Sequence, residues 1–246
     1  MTTPPALTVL NEELVLCRRC PRLVAWRERV AAEKRRAFRN ETYWGRPVPG
    51  FGDPEASLII VGLAPAAHGA NRTGRMFTGD RSGDFLYAAL YRAGLASQPA
   101  SRSRSDGLTL RGVYITAPCR CAPPDNKPTP DELRTCRGWL DRELSLLPNA
   151  RVYLALGKIG FDTVAALARA RGDERGEPFS RKPFGHGVIT PIPDPRPTLP
   201  KKSSKLPEVF LAGSYHVSQQ NTQTGRLTEP MFDAVVARAR KLAGLA

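Results

Sequence analysis

The sequence has few cysteines and no long apolar run, and each shortage excludes a class of protein. Its longest apolar stretch, residues 58–67, is interrupted by Gly62 and Pro65 and is too short to cross a bilayer. The first residues lack the basic-then-apolar order of an export signal, so we expect a cytoplasmic protein with no membrane partner. In that setting, five cysteines predict free thiols or metal ligands rather than disulfides.

Positive charge is what the sequence has in excess. The 246 residues include 37 Lys and Arg against 23 Asp and Glu, a net charge of +14. Only 8 of these basic residues are lysine and 29 are arginine, the side chain best suited to forked contacts with phosphate. The composition therefore favours a polyanionic partner, with a solvated surface rich in Arg as the alternative.

Apolar runs and helical patterns alternate along the chain. Buried strands are predicted for residues 57–62, 112–117, 150–156 and 208–214, and helices for residues 83–93, 130–147, 158–170 and 229–246. This alternation predicts an α/β fold, a three-layer sandwich with a mostly parallel central sheet of about four strands flanked by helices. In such sheets ligands bind beyond the carboxyl ends of the strands.

At this length we expect a single domain, residues 1–246, that includes an N-terminal segment tethered through its cysteines and a long connection. Residues 1–50 precede the first predicted strand. Residues 171–207 form a connection rich in Pro and Arg, too long for an ordinary loop, which we expect to fold over the domain or line a groove.

The cysteines fall into two groups. Cys17 and Cys20 form a C-x2-C pair, while Cys121 and Cys136 are separated by fourteen residues that include four prolines. Four thiolates in two groups fit a tetrahedral zinc site or an iron-sulfur cluster, and spacing alone does not choose between them. Cys119 is an alternative ligand to Cys121, but its place at the end of an apolar strand favours a core residue. Scattered free cysteines are the remaining alternative.

Two loops at predicted strand ends carry the polar and aromatic side chains of a ligand site. Residues 62–80 read GLAPAAHGANRTGRMFTGD, and residues 215–228 read YHVSQQNTQTGRLT. The first loop combines small residues, which allow close backbone approach, with the donors Asn71, Arg72 and Arg75. These features suit an anionic or flat ligand.

Together these motifs resemble the uracil-DNA glycosylase superfamily, in particular family 5, the iron-sulfur branch with broad base specificity. The first loop matches the family pattern GLAPAAHGxNRTGRMFTGD, and the last matches HPSxQNTQTGRLT with Val217 where proline is usual. That departure leaves the turn after His216 less rigid than usual. The C-x2-C pair, the segment CAPPDNKPTP from Cys121 and then Cys136 are similar to the family's cluster-ligand arrangement, and the resemblance runs from residue 17 to 246.

The resemblance implies a base-excision DNA repair enzyme that binds double-stranded and also single-stranded DNA. Such an enzyme flips uracil and other deaminated bases, such as hypoxanthine, into a pocket, hydrolyses the N-glycosidic bond and leaves an abasic site. It implies a [4Fe-4S] cluster bound by Cys17, Cys20, Cys121 and Cys136. We expect a monomer that associates with the nucleoid through DNA.

The resemblance also implies roles for single residues. Departure of the base leaves positive charge on the sugar and negative charge on the base, so catalysis needs a donor aimed at the base and a carboxylate or phosphate near the sugar. His216 fits the first role, and Asp80, or a water that it holds, fits the second. The implied base pocket comprises Gly62, Ala64, Pro65, His68, Phe77, Ala117 and Asn221, with Phe77 stacked on the base. The implied DNA contacts are Asn71, Arg72, Arg75, Ser218, Arg226 and Leu227, the last two filling the gap left by the flipped nucleotide.

Two positions predict weak discrimination between bases. Ala117 stands where the related family 4 carries an asparagine that reads the uracil edge, and Leu63 stands where family 4 carries an acidic residue. An apolar wall discriminates weakly, because it leaves no buried polar group unpaired when the base changes. A protein of another class, a non-catalytic nucleic-acid-binding protein with a zinc or iron-sulfur knuckle, would explain the charge and the cysteines but not the two loops.

Overall fold

The computed structural model describes residues 4–176, 179–180, 182–197 and 208–245, and its centre is a six-stranded sheet. The strands are β1 Phe51–Gly52, β2 Leu58–Val61, β3 Val113–Thr116, β4 Val152–Leu156, β5 Ile189–Ile192 and β6 Val209–Ser214, in the order β1-β3-β2-β4-β6-β5. The four inner strands are parallel, while β1 and β5 add antiparallel edges. The α/β class and the mostly parallel sheet are thus confirmed, with six strands instead of about four.

The two edge strands are the ones that the sequence pattern did not indicate. Strand β1 has only two residues, and β5 contains Pro191, which cannot donate to a ladder and is confined to sheet edges. Strand β5 lies within the predicted connection 171–207, and the helix that precedes it continues to Arg175. The connection therefore contains part of a helix and an edge strand; residues 198–207 lie outside the described residues.

Eight α-helices are found among the described residues. They are α1 Pro5–Val15, α2 Pro21–Glu33, α3 Ala70–Thr73, α4 Arg81–Arg92, α5 Pro130–Ser145, α6 Lys158–Arg175, α7 Gln219–Gln223 and α8 Glu229–Leu242. Helix α5 begins with a capping box, in which Thr129 Oγ1 accepts from the Glu132 amide and the Glu132 carboxylate accepts from the Thr129 amide. None of the helices in the described part of the chain is long and apolar enough to cross a membrane.

Helices cover both faces of the sheet because the side chains of each strand alternate between the faces. On β2, Leu58 and Ile60 pack in the core that includes residues of α4 and α8. Ile59 and Val61 point the other way, into the core that includes residues of α1, α5 and α6. The carboxyl ends of the four inner strands share one edge, so the segments that follow them meet there.

Candidate functional site

A pocket of about 340 Å³ lies at the carboxyl edge of the parallel strands, a volume within the range of small-molecule sites. Its lining comes from the loop after β2, the segment after β3 and the loop after β6. Seven residues predicted for the site line it: Ala64, Pro65, Phe77, Asp80, Ala117, His216 and Ser218. The fold therefore brings residues that are far apart in sequence to one cavity, as the strand-end rule predicts.

His216 lies two residues after the end of β6, and its half-buried ring faces this pocket. The ring packs beside Gly157, where a Cβ would lie 3.4 Å from His216 Cβ. Burial lowers the pKa of His216 to about 4, so the imidazole is neutral at pH 7. No residue in the described part of the chain hydrogen-bonds to the ring. Its nitrogens are therefore available to a ligand.

Phe77 lies close to His216, with the ring centroids 6.2 Å apart and the planes inclined by 32°. Its backbone has a φ of +51°, in the left-handed region that is unfavourable for a bulky residue. The surroundings hold it there, because a Cβ at Gly62 would lie 2.9 Å from Phe77 Cζ and one at Gly83 would lie 1.8 Å from Phe77 O. A strained aromatic residue held in this way is typical of functional sites.

Asp80 has a structural task as well as a place in the pocket. Its Oδ1 accepts a hydrogen bond of 3.0 Å from the amide of Gly83 and so caps α4. Its Oδ2 lies against Gly69, where a Cβ would be only 2.0 Å away. Burial raises the pKa of Asp80. The cap is observed, while the part of Asp80 in hydrolysis stays a prediction.

Three residues predicted for the base pocket lie behind its wall. Gly62 lies beneath the ring of Phe77. His68 Nδ1 lies 3.1 Å from the hydroxyl of Tyr43, and burial lowers the pKa of His68. Asn221 Nδ2 donates to the carbonyl of His216 at 2.8 Å, which fixes the last loop. Their contribution to base binding stays a prediction. The contacts in the structure favour a role in which these residues stabilise the side chains and loops that line the pocket.

The three donors of the first loop are buried and have protein partners. Asn71 Nδ2 donates to the carbonyl of Arg27 at 3.2 Å, and Arg72 donates to carbonyls of its own loop. Arg75 forms an ion pair of 2.6 Å with Asp106. These contacts favour a structural role for Asn71, Arg72 and Arg75 over the predicted contact with DNA.

The two residues expected to fill the gap in DNA lie in different environments. Arg226 is exposed, with its guanidinium carbon 4.8 Å from the ring centroid of Tyr215. Leu227 is 1% exposed and belongs to the core that includes Phe232. Insertion of Leu227 into DNA would expose it first, at a cost of about 1.5–3 kcal/mol. The structure without DNA therefore favours Arg226 over Leu227 as the residue that fills the gap left by the flipped nucleotide.

Asp125 and Asn126 also line the pocket, although sequence reasoning did not assign them to it. They follow β3 in a short turn, with φ values of +53° and +56°. Two successive non-glycine residues in the left-handed region are unusual, and Asp and Asn tolerate it best. Between closely spaced prolines, an Asp-Asn pair is a signal that indicates such a turn.

The five cysteines converge on a second, apolar pocket on the same molecule, between the N-terminal segment and the start of α5. Within the described residues, no three His, Cys, Asp or Glu side chains are grouped so as to hold one metal ion. Sulfurs around a single tetrahedral zinc would lie about 3.8 Å apart, given zinc-sulfur bonds of about 2.3 Å. An iron-sulfur cluster distributes its thiolates over several iron atoms and takes a wider set. The thiols that line this one pocket supply the sulfur ligands that such a cluster needs.

Cys119 and Cys121 differ in their hydrogen bonds. Cys119 is buried, as expected, but it lines the same pocket as the other four; its Sγ donates to the carbonyl of Cys121 at 3.3 Å. Cys121 Sγ accepts a hydrogen bond of 2.9 Å from Arg27. The hydrogen bond from Cys119 lowers the pKa of Cys136 to about 7. Cys119 is thus a donor, while Cys121 and Cys136 accept; burial nevertheless raises the pKa of the Cys121 thiol to about 12.

Comparison with known proteins agrees with this geometry. Residues 49–240 match the family model described as the uracil DNA glycosylase superfamily. The Type-5 uracil-DNA glycosylase of Thermus thermophilus is 55% identical over 95% of this chain and 97% of its own length. The enzymes of the same name from Mycobacterium tuberculosis and Pyrobaculum aerophilum are 52% and 42% identical, over 96% and 94% of this chain and 81% and 91% of their own lengths. The resemblance stated from the loop motifs is confirmed: the chain belongs to the uracil-DNA glycosylase superfamily and, within it, to the type-5 family.

Proposed function

We propose that the protein removes uracil and other deaminated bases from DNA by hydrolysing the N-glycosidic bond, leaving an abasic site. The observation that carries the proposal is the pocket at the sheet edge, in which an aromatic ring and a neutral imidazole face the same space. The names of the type-5 relatives support the uracil part. The target base must leave the duplex to reach such a pocket, so the proposal includes base flipping.

Phe77 and His216 would divide the work on the flipped base. Phe77 offers a ring face for stacking, which is sequence-tolerant because every base has a π-face. His216 is neutral at pH 7 and would donate an N–H to the base as negative charge develops there. The Oδ2 of Asp80 would hold the attacking water or stabilise the positive sugar, while its Oδ1 stays in the helix cap.

Bond cleavage would stop at hydrolysis, because the pocket offers no amine nucleophile. Its lining, in the described part of the chain, contains no lysine that could attack the sugar and form a Schiff base. We therefore propose a monofunctional glycosylase. We also propose, as the expectation from the sequence has it, that it acts as a monomer. Its net charge of +14 and exposed arginines such as Arg226 would hold double-stranded DNA in a salt-dependent way.

Breadth of specificity follows from the apolar part of the lining. Ala117 and Leu63 both face the pocket and offer no side-chain hydrogen bond. The test is a side-by-side measurement of single-turnover excision from duplexes that contain uracil or hypoxanthine. Release of both bases supports the proposal. Activity on uracil alone would refute the breadth and direct attention to Asn126 for edge readout, and binding without any release would favour the non-catalytic alternative.

We further propose a [4Fe-4S] cluster bound by Cys17, Cys20, Cys121 and Cys136. When bound, it would supply a rigid junction between the N-terminal helices and the segment that joins β3 to α5. Iron per chain tests the ligand set. Cys121→Ser should lose iron and the matched variant Cys119→Ser should keep it, and the reverse pattern would refute the assignment.

A further inference from the structure

Arg27, on α2, carries a positive charge that is almost completely buried from solvent. Its side chain is 2% exposed, and its Nε has no hydrogen-bond partner among the described residues. In that part of the chain, Glu28 is the only carboxylate in ion-pair range, at 3.9 Å, and it is itself exposed. A buried charge that lacks a close counter-charge is costly. The protein around Arg27 thus supplies too little negative charge to explain its burial.

The guanidinium of Arg27 joins the two groups of cysteines. Its Nη1 donates to Cys121 Sγ at 2.9 Å, and its Nη2 donates to the carbonyl of Cys17 at 3.1 Å. Four thiolates around a cluster would carry the negative charge that Arg27 otherwise lacks. Hydrogen bonds to the sulfurs are among the contacts by which a protein adjusts an iron-sulfur cluster.

The backbone of Arg27 contacts the loop that forms the base pocket. Its carbonyl accepts the hydrogen bond from Asn71, which is fully buried in the loop after β2. The neighbouring residue, Ala70, lines the base pocket. One residue therefore contacts a cluster cysteine through its side chain and the pocket loop through its carbonyl.

We propose that Arg27 is a positioning residue that stabilises the iron-sulfur cluster and connects it to the base-pocket loop through Asn71. The proposal rests on the proposed cluster. It gives that cluster a task in base excision without a redox step: the occupied cluster fixes Arg27, and Arg27 fixes the loop that carries Ala70.

The first arm of the test concerns the cluster and uses the purified full chain. Arg27→Gln removes the charge and shortens the donor, and Arg29→Gln makes the same change on the exposed side of α2. Loss of such an outer contact costs about 10- to 100-fold in metal affinity. We expect iron release to a chelator to accelerate at least about tenfold in Arg27→Gln and to stay at the parent rate in Arg29→Gln. The reduction potential should fall only in Arg27→Gln, because a nearby positive charge favours the more negative reduced cluster.

The second arm concerns the connection to the pocket loop and uses amide hydrogen exchange of residues 66–75. We expect exchange there to rise in the parent protein when the chelator removes the cluster, and to be raised in Arg27→Gln while the cluster is still bound. In Asn71→Ala the loop should exchange fast with or without the cluster, while the reduction potential stays at the parent value. Fast exchange of the loop with an unchanged reduction potential distinguishes a connection through Asn71 from a general destabilisation of the protein.

The outcomes distinguish this proposal from the one on which it rests. If the parent protein contains no iron after anaerobic purification, both the proposed cluster and this proposal are refuted. An iron-containing parent in which Arg27→Gln matches Arg29→Gln in iron release and potential would refute the role of Arg27 alone. If Arg27→Gln does not fold, Arg27→Lys decides. It keeps the charge but lacks the guanidinium fork that donates to Cys121 Sγ and to the Cys17 carbonyl, so iron release at the parent rate would refute the role of that fork.

Discussion

His216 should act as a neutral hydrogen-bond donor over the whole physiological pH range. Burial lowers its pKa to about 4, which is about three units below pH 7, so about one ring in a thousand is charged at that pH. The excision rate should therefore show no inflection near 6.5, the ordinary pKa of histidine. A change in the rate that depends on His216 is expected only as the pH drops further and the ring gains a proton. Phosphates of bound DNA favour the charged ring, so the pKa of His216 should be higher in the complex than in the free enzyme.

The size of the effect follows from the role. Loss of one donor to a developing charge costs about 100- to 1,000-fold in rate, or about 2.7–4 kcal/mol. His216→Ala should show this loss at pH 7 and retain DNA affinity, because no phosphate contact is removed. His216→Gln keeps an N–H donor that does not titrate, so it should retain part of the rate and lose the acid limb of the profile.

Single-turnover excision with saturating enzyme isolates the chemical step from product release. Rates measured from pH 4.5 to 8.5 on a uracil-containing duplex give the profile, and nitrogen chemical shifts of the free enzyme report the charge of the ring. An inflection at 6.5 in the parent that His216→Gln abolishes would refute the neutral donor. A rate for His216→Ala within a few-fold of the parent would move the role to another residue.

Three substitutions test the placement of other residues. Gly62→Ala puts a Cβ 2.9 Å from the ring of Phe77 and should lower the excision rate at least about tenfold. The control Gly138→Ala, whose Cβ has no atom within 4 Å, should keep the parent rate. Equal rates for the two variants would show that a shift of Phe77 does not affect excision. For DNA binding, Arg226→Ala should reduce the slope of log Kd against log salt concentration by about one. An unchanged slope would show that Arg226 does not contact DNA. Leu227→Ala should lower the free energy of unfolding by about 2–5 kcal/mol in urea titrations. A loss of DNA affinity with unchanged stability would instead support Leu227 as a residue that fills the gap left by the flipped nucleotide.

The inner strands could be predicted because buried parallel strands are continuous apolar runs. Residues 58–61 and 152–156 carry that pattern on both faces. The edge strands could not, since β1 is two residues long and Pro191 interrupts β5. The helices of the N-terminal segment have a signal that was not used, a proline at the first position of both α1 and α2.

The lining of the base pocket could be predicted to a large extent because the loops that follow parallel strands meet at one edge. Phe77, Ala117 and His216 follow three different strands and line one cavity. Asp125 and Asn126 lie between Cys121 and Cys136, where the spacing of the cysteines indicates a metal site and carries no signal for the pocket. Their inclusion depends on the left-handed turn, which a spacing pattern does not encode.

The arginines mark the limit of what such a sequence can indicate about function. An arginine in a Gly-rich loop has the same signature whether its fork meets a phosphate or a protein carboxylate, because the partner is distant in sequence. Arg75 meets Asp106, whose side chain is 12% exposed, and Arg120 meets Glu143 in a fully buried pair. Each of these pairs is neutral, so the net charge of +14 is unchanged, but their two arginines are not available to contact DNA. Affinity for DNA should depend on the exposed arginines around the pocket. The buried arginines should instead affect the stability of the loops that they bind.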